Sequence, residues 1–253
     1  MAFRLVTLNL NGIRSAASKG FVEWATEAVA DCMGVQEIKA QADDIAGRFE
    51  SVAGMQGHFH FAQKKGYSGV GLYSRKTPSD VIIGLGDEGF DAEGRYVETR
   101  FDTPSRKLSI ISCYFPSGSS GEERQGVKFR FLDHVFPHLL ALKGQREFIL
   151  VGDVNIAHQQ IDLKNWRSNQ KNSGFLPEER AWMTRLLEDP DWWTCSASST
   201  PTPISTPGGA LAARRGPTTW AGVWTTTWPR QRSRPWPGAR RSTSTSVFRT
   251  MRR

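Results

Sequence analysis

Alternating apolar and polar residues in FRLVTLNLNG (3 to 12) predict a half-buried strand. The following segment, GFVEWATEAVADC, instead spaces Phe21, Trp24, Ala25, Ala28 and Val29 along one helical face, so a strand and a crossover helix open the fold. GVQEIK reads as a short strand. HFHFAQ, SGVGLYSR, DVIIGLG and GRYVETRF read as successive strands broken by Gly and Pro, and KLSIISCYFP as a longer one. A long helix is predicted at about 122 to 143, with Phe129, Leu132, Val135, Leu139, Leu140 and Leu142 facing inward. EFILVGDVN is a buried strand ending in polar residues, and LPEERAWMTRLLED opens a helix on Pro177 with acids in its first turn. Strands and helices mixed over this length predict one main domain of two packed sheets with helices outside, an α/β or α+β sandwich.

After Trp192 these signals stop. Residues 193 to 253 are dominated by Thr, Ser, Pro, Ala and Arg and show neither period, so a basic tail without regular structure is expected there. The tail holds ten arginines and no Lys, Asp or Glu, so the body carries 23 bases against 25 acids although the net charge is +8. Basicity therefore says nothing about nucleic-acid binding by the body. Cys32, Cys113 and Cys195 lie far apart without metal-ligand spacing, which fits unpaired thiols in a reducing compartment. With no export leader and no apolar run long enough for a membrane span, the expectation is a cytoplasmic protein.

Polar residues gather where the predicted strands end. Asn9 and Asn11 close the first, Glu37 the second, Tyr114 closes SCYFPSG, and Asp153 with Asn155 close LVGDVN. Taken singly, a strand-end Asn or Asp is usually a turn-former and a Tyr a satisfied core phenol. Converging on one edge, they would form an oxygen-rich site suited to a hard cation such as Mg²⁺. The five histidines, His58, His60, His134, His138 and His158, show no ligand pattern.

In order, TLNLNGIRSA, VQEIKAQ, GYSGVGLYSR, GRYVE, YFPSGSSGEER, VKFRFLD, GDVNIAH, DLKNW and NSGFLPEERAWM strongly resemble the exodeoxyribonuclease III and abasic-site endonuclease family of the exonuclease-endonuclease-phosphatase superfamily. The resemblance covers residues 3 to about 192. It implies a four-layered α/β sandwich of two mixed sheets flanked by helices, incomplete at its C-terminal part. It also implies a Mg²⁺-dependent phosphodiesterase, with Mn²⁺ as an alternative metal. The implied partner is double-stranded DNA, cut 3′ to 5′ and beside abasic sites by a monomer. Carried over by motif, Glu37 resembles the main metal carboxylate with Asn9 beside it, and Asp153 the residue that orients or deprotonates the attacking water. Asn155 resembles a phosphate and water positioner, and Tyr114 a phosphate-contacting phenol. The family also has a Ser-Asp-His motif near its C-terminus, preceded by an Asp in Gly-Trp-Arg-x-Asp-Tyr; this chain has neither.

The genetic code offers an explanation. Reading each codon from its third base, Trp192-Trp193 forces Val, Trp193-Thr194 forces Asp, and WAGVWTT permits Gly-Trp-Arg-Met-Asp-Tyr. VFRTMRR likewise permits Ser-Asp-His-Ala-Pro. Both missing motifs return, in order, in one shifted frame, so residues from Trp193 onward read as the product of a lost base. The rival is a genuine basic tail gripping DNA through Arg charge and Trp stacking. The expected function is thus a DNA repair nuclease by descent with impaired activity. The alternatives are a non-catalytic nucleic-acid-binding relative on the same scaffold and a phosphodiesterase acting on phosphoinositides or nucleotides; NSGFLPEERAWM and DLKNW favour the DNA repair branch over the latter.

Overall fold

The computed structural model describes residues 3–188 and the backbone of three later strands. In chain order the strands are β1 (Arg4–Asn9), β2 (Cys32–Gln36), β3 (Ser51–Val52), β4 (Met55–His60), β5 (Val70–Ser74), β6 (Asp80–Ile83), β7 (Tyr96–Arg100), β8 (Leu108–Tyr114), β9 (Glu147–Asp153), β10 (Trp192–Thr194), β11 (Ala221–Thr225) and β12 (Phe248–Thr250). The helices are α1 (Ile13–Ala17), α2 (Phe21–Ala28), α3 (Ala42–Ile45), α4 (Glu88–Asp91), α5 (Glu122–Lys143), α6 (Trp166–Asn169) and α7 (Pro177–Leu187).

The strands form two six-stranded sheets, ordered β11-β1-β2-β5-β4-β3 and β10-β12-β9-β8-β7-β6. Each contains one parallel pair, β1 with β2 and β8 with β9, among antiparallel neighbours. Three apolar clusters define the layers. Phe21 and Trp24 of α2 pack with Val6 and Leu8 of β1 on the outside of the first sheet. Phe131, Leu132 and Val135 of α5 and Trp182 and Met183 of α7 cover Ile111, Cys113 and Leu150 on the outside of the second. Leu5, Leu72, Val97, Ile110 and Val151 meet between the sheets. The result is the expected four-layered sandwich, in which each large apolar side chain so buried contributes roughly 1.5–3 kcal/mol.

β1 departs from the half-buried reading, because both of its faces are covered. Its polar positions point to the other sheet rather than to water. There the Thr7 hydroxyl donates to Gln36 Oε1 (3.3 Å), and Gln36 Nε2 donates across to Ser112 Oγ (3.0 Å). Alternation here marks a hydrogen-bonded layer between sheets, which satisfies groups that would otherwise be costly to bury. The sheets approach closely at Gly34, where a Cβ would lie 2.7 Å from Val151 Cγ2.

Two helical expectations also shift. Val29 is exposed because α2 ends at Ala28 and Val29 itself turns left-handed (φ 48°). In α5 the buried line is Lys128, Phe131, Leu132, Val135, Leu139 and Leu142, while Leu140 lies on the outer side, 40% exposed. Cys32 and Cys113 are buried and unpaired. Of the region expected to lack regular structure, β11 lies antiparallel on β1 and β12 antiparallel on β9. The rest of 189–253, including Cys195, is outside the described residues. No helix among the described residues is long and apolar enough to cross a membrane.

Candidate active site

The two parallel pairs end side by side. Asn9 lies opposite Gln36, the residue before Glu37, in one sheet, and Tyr114 lies opposite Asp153 in the other. Bonds then cross between the sheets. Asn9 Nδ2 donates to Asp153 Oδ2 (3.0 Å) while also donating to Glu37 Oε1 (2.8 Å), and the Tyr114 hydroxyl donates to the same Glu37 oxygen (2.9 Å). Four of the five expected residues thus form one connected group, drawn from positions up to 144 apart in sequence.

The direction of each bond follows from the partners. Asn9 Oδ1 accepts from the Asn11 N–H (3.0 Å), so its amide nitrogen necessarily faces the two carboxylates. In this arrangement Asn9 bridges as a donor and presents no oxygen between them. Asn155, the fifth residue, joins through its backbone. Its N–H donates to Asp153 Oδ1 (3.0 Å), and its side-chain amide donates to the Phe115 carbonyl (2.9 Å). Glu37 and Asn155 both hold left-handed backbone, at φ 50° and 54°. Such non-glycine conformations cost on the order of 1–3 kcal/mol and persist where surrounding contacts over-determine them.

Charge is distributed unequally. Burial pushes the Glu37 carboxyl upward, but hydrogen bonds from Asn9, Lys39 and Tyr114 and the Lys39 charge outweigh it, leaving the acid below the usual range and ionised. Asp153 is more deeply enclosed, and burial carries it up to about 6 against the pull of Asn9, the Asn155 N–H and Lys128; Glu37 pushes it further the same way. Tyr114 is raised by burial and by the Glu37 and Asp153 charges, so it stays a protonated donor. A carboxylate poised near neutrality beside a fixed ionised one is an arrangement suited to accepting a proton from water.

Other groups complete the rim without having stood out in the sequence. Lys39 Nζ pairs with Glu37 Oε2 (2.8 Å) and also donates to Asn11. Arg95, almost wholly buried, stacks its guanidinium over the Tyr114 ring (5.0 Å) and donates to the Tyr114 carbonyl (2.9 Å). Glu93 pairs with both Arg95 (2.6 Å) and Arg124 (2.7 Å), whose guanidiniums also meet the Tyr67 hydroxyl. Lys39 stands two residues beyond Glu37 and Arg95 lies within GRYVE, so both fell inside recognised motifs; neither spacing assigns a role. Of the histidines, His60 meets the Tyr96 carbonyl (3.0 Å) and His158 meets Thr184 (2.8 Å); neither contact involves the rim.

Among the described residues no three His, Cys, Asp or Glu side chains gather into a metal cage. The donor set still fits Mg²⁺, which takes one or two carboxylates and keeps several waters. A cavity of about 580 Å³ opens at the other end of the sandwich, where Phe3, Cys32 and Leu108 begin or precede their strands; none of the five site residues lines it.

Two mixed sheets between helix layers, with two carboxylates joined across the sheet ends, define a member of the Endonuclease/Exonuclease/phosphatase family, whose profile matches residues 6–240. Within it the chain belongs to the exodeoxyribonuclease III and abasic-site endonuclease branch, a branch of phosphodiester-cleaving enzymes. It is 34% identical over 186 residues to an exodeoxyribonuclease of Bacillus subtilis, covering 73% of this chain and 71% of the relative. It is 33% identical over 192 residues to the DNA repair nuclease APEX1 of Danio rerio, covering 73% of this chain but only 59% of that one. An AP endonuclease structure from Archaeoglobus fulgidus superposes with a TM-score of 0.64 over 74% of this chain and 70% of that one, at 24% identity.

Proposed function

We propose that the chain is a DNA repair nuclease that hydrolyses phosphodiesters of duplex DNA with Mg²⁺, beside abasic sites and from 3′ ends, as a cytoplasmic monomer. The observation that carries this reading is the crossed pair of bonds, Asn9 to Asp153 and Tyr114 to Glu37, which brings to one sheet rim an ionised carboxylate and a more deeply buried one raised to about 6. Glu37 would hold Mg²⁺, or Mn²⁺ in its place, with Asn9 beside it bracing both carboxylates. The bound ion supplies charge to offset the negative charge that develops on the phosphate.

The chain's own residues do the rest. Asp153 orients the attacking water and takes its proton. The Tyr114 hydroxyl and the Asn155 side-chain amide donate to nonbridging phosphate oxygens once they exchange their present partners. Arg95, stacked on Tyr114, holds that ring in place and adds positive charge beside it. Residues from Trp193 onward are the product of a lost base, so the Asp and His of the two late motifs are missing. Losing one preorganised donor typically lowers the rate on the order of a hundredfold to a thousandfold, so the activity is impaired.

The test is cleavage of a duplex carrying one abasic-site analogue, with Mg²⁺ and with a chelator. Slow cleavage 5′ to the lesion that the chelator abolishes supports the proposal. Duplex binding with no cleavage at any enzyme excess overturns it and favours a binding protein on the same scaffold.

A further inference from the structure

Behind the rim, α5 and α7 converge on one buried ion pair. Lys128 Nζ lies 2.7 Å from Glu179 Oε1, and both side chains are fully enclosed. Glu179 is held in turn, since its Oε2 accepts the N–H groups of Gly174 (2.7 Å) and Leu176 (3.0 Å), and Gln125 Nε2 donates to Oε1 (3.0 Å). The ammonium does not stop at its partner. It also donates to the Asn155 carbonyl (2.7 Å). That carbonyl belongs to the residue whose left-handed backbone aims its N–H at Asp153 Oδ1.

An enclosed ion pair offers weak net stabilisation, because desolvation of both charges offsets their attraction. Apolar residues would fill this space between helices at least as well. What the pair supplies that they would not is a donor directed at the carbonyl of Asn155, the residue whose N–H holds the carboxylate at the reacting edge.

We propose that Lys128, locked by Glu179, is a positioning residue that holds Asn155 in its left-handed conformation and thereby aims the Asp153 carboxylate. Besides the direct pull of its charge on Asp153, Lys128 acts through the backbone: it fixes the carbonyl of Asn155, the backbone of that residue fixes its N–H, and the N–H fixes Oδ1. The consequence for catalysis rests on the nuclease reading, in which Asp153 orients water; the consequence for conformation does not.

Two variants separate positioning from structural support. Glu179→Gln leaves the enclosed Lys128 without its acid, which lowers stability throughout the fold, but keeps the lysine donor beside the Asn155 carbonyl. Lys128→Met with Glu179→Gln removes both charges together, so no lone ion is stranded. Amide exchange read by NMR on the full chain is expected to show the Asn155 N–H opening about tenfold faster relative to the β9 amides in the double variant, with that ratio as in the parent in Glu179→Gln. In the cleavage assay, kcat should fall by about tenfold with KM within about twofold, the scale typical for residues that orient a catalytic group. Unchanged Asn155 exchange in the double variant overturns the proposal, as does an equal loss of Asn155 and β9 protection in both variants. If the parent cleaves no DNA, the nuclease reading fails, and the exchange measurement still decides the conformational role.

Discussion

Replacing Asn9 with aspartate turns the bridge between the sheets into a third acid. The amide now donates at 2.8 Å to Glu37 and 3.0 Å to Asp153, and net contributions of about 1.5–3 kcal/mol are usual for each bond to a charged group. An ionised carboxylate in its place would meet repulsion of roughly 5 kcal/mol from each neighbour at an effective dielectric near 20. Proton uptake is the easier escape. Near pH 7 it costs about 1.36 kcal/mol for each of roughly three pKa units, and the protonated acid restores only one of the two bonds. Asn9→Asp should therefore lose about 5.5–7 kcal/mol in urea unfolding followed by tryptophan fluorescence with a chelator present. Three acids also bind a hard cation better than two, so saturating Mg²⁺ should recover about 2 kcal/mol more in the variant than in the parent by mass action on the folded state. Parent-like stability with the chelator would show that the amide does not bridge two carboxylates. An equal Mg²⁺ response in both proteins would remove the cation from the site.

Gly152→Ala would drive a Cβ into the Cys113 carbonyl oxygen, forcing β8 and β9 apart directly beside Asp153. A loss of more than about 3 kcal/mol is expected on thermal unfolding, and a parent-like midpoint would contradict the strand spacing. Burial raises the Glu93 acid, but the Arg124 hydrogen bond and the Arg95 charge outweigh it, so the folded-state pKa lies below the unfolded one. A depressed acid stabilises above the ordinary carboxylate range and loses that contribution as pH falls through its folded value. Stability of the parent should thus drop more steeply on acidification than that of Glu93→Gln, and parallel curves would refute the pairing. Restoring one base beside the Trp192 codon should return both late motifs and raise the cleavage rate by about a hundredfold to a thousandfold; an unchanged rate, or a verified gene with no missing base, removes the frame-shift account.

Much of the rim was legible because apolar alternation stops at polar residues, and strands of one sandwich end at common edges. Asn9, Glu37, Tyr114 and Asp153 could be picked out on that ground, and the structure brings them within hydrogen-bonding reach of one another. What periodicity hides is the partner of a buried polar group. Thr7, a polar position of the alternating first strand, does not face water but bonds to Gln36, which bonds on to Ser112 between the sheets. Lys128 fell on what pattern alone makes the polar side of α5, since a lysine paired with an acid on a distant helix leaves no local trace. The orientation of Asn9, donor toward both acids, likewise depends on Asn11 and on the second sheet.

The late strands obey a different rule from the site. β1 lies between β11 and β2, and β9 between β12 and β8, so the strands carrying Asn9 and Asp153 each take backbone hydrogen bonds from the region after Trp192. A ladder pairs N–H with C=O and is indifferent to which side chains the added strand carries, provided proline does not interrupt it. Without those partners β1 and β9 would be sheet edges, the exposed templates that folded proteins avoid. A segment that lacks every family motif can therefore still close both sheets, because closure asks only for backbone while catalysis asks for particular groups. The scaffold beneath the rim and the chemistry upon it are separable in this chain, and a change of reading frame after Trp192 would strip the second while leaving the first its backbone partners.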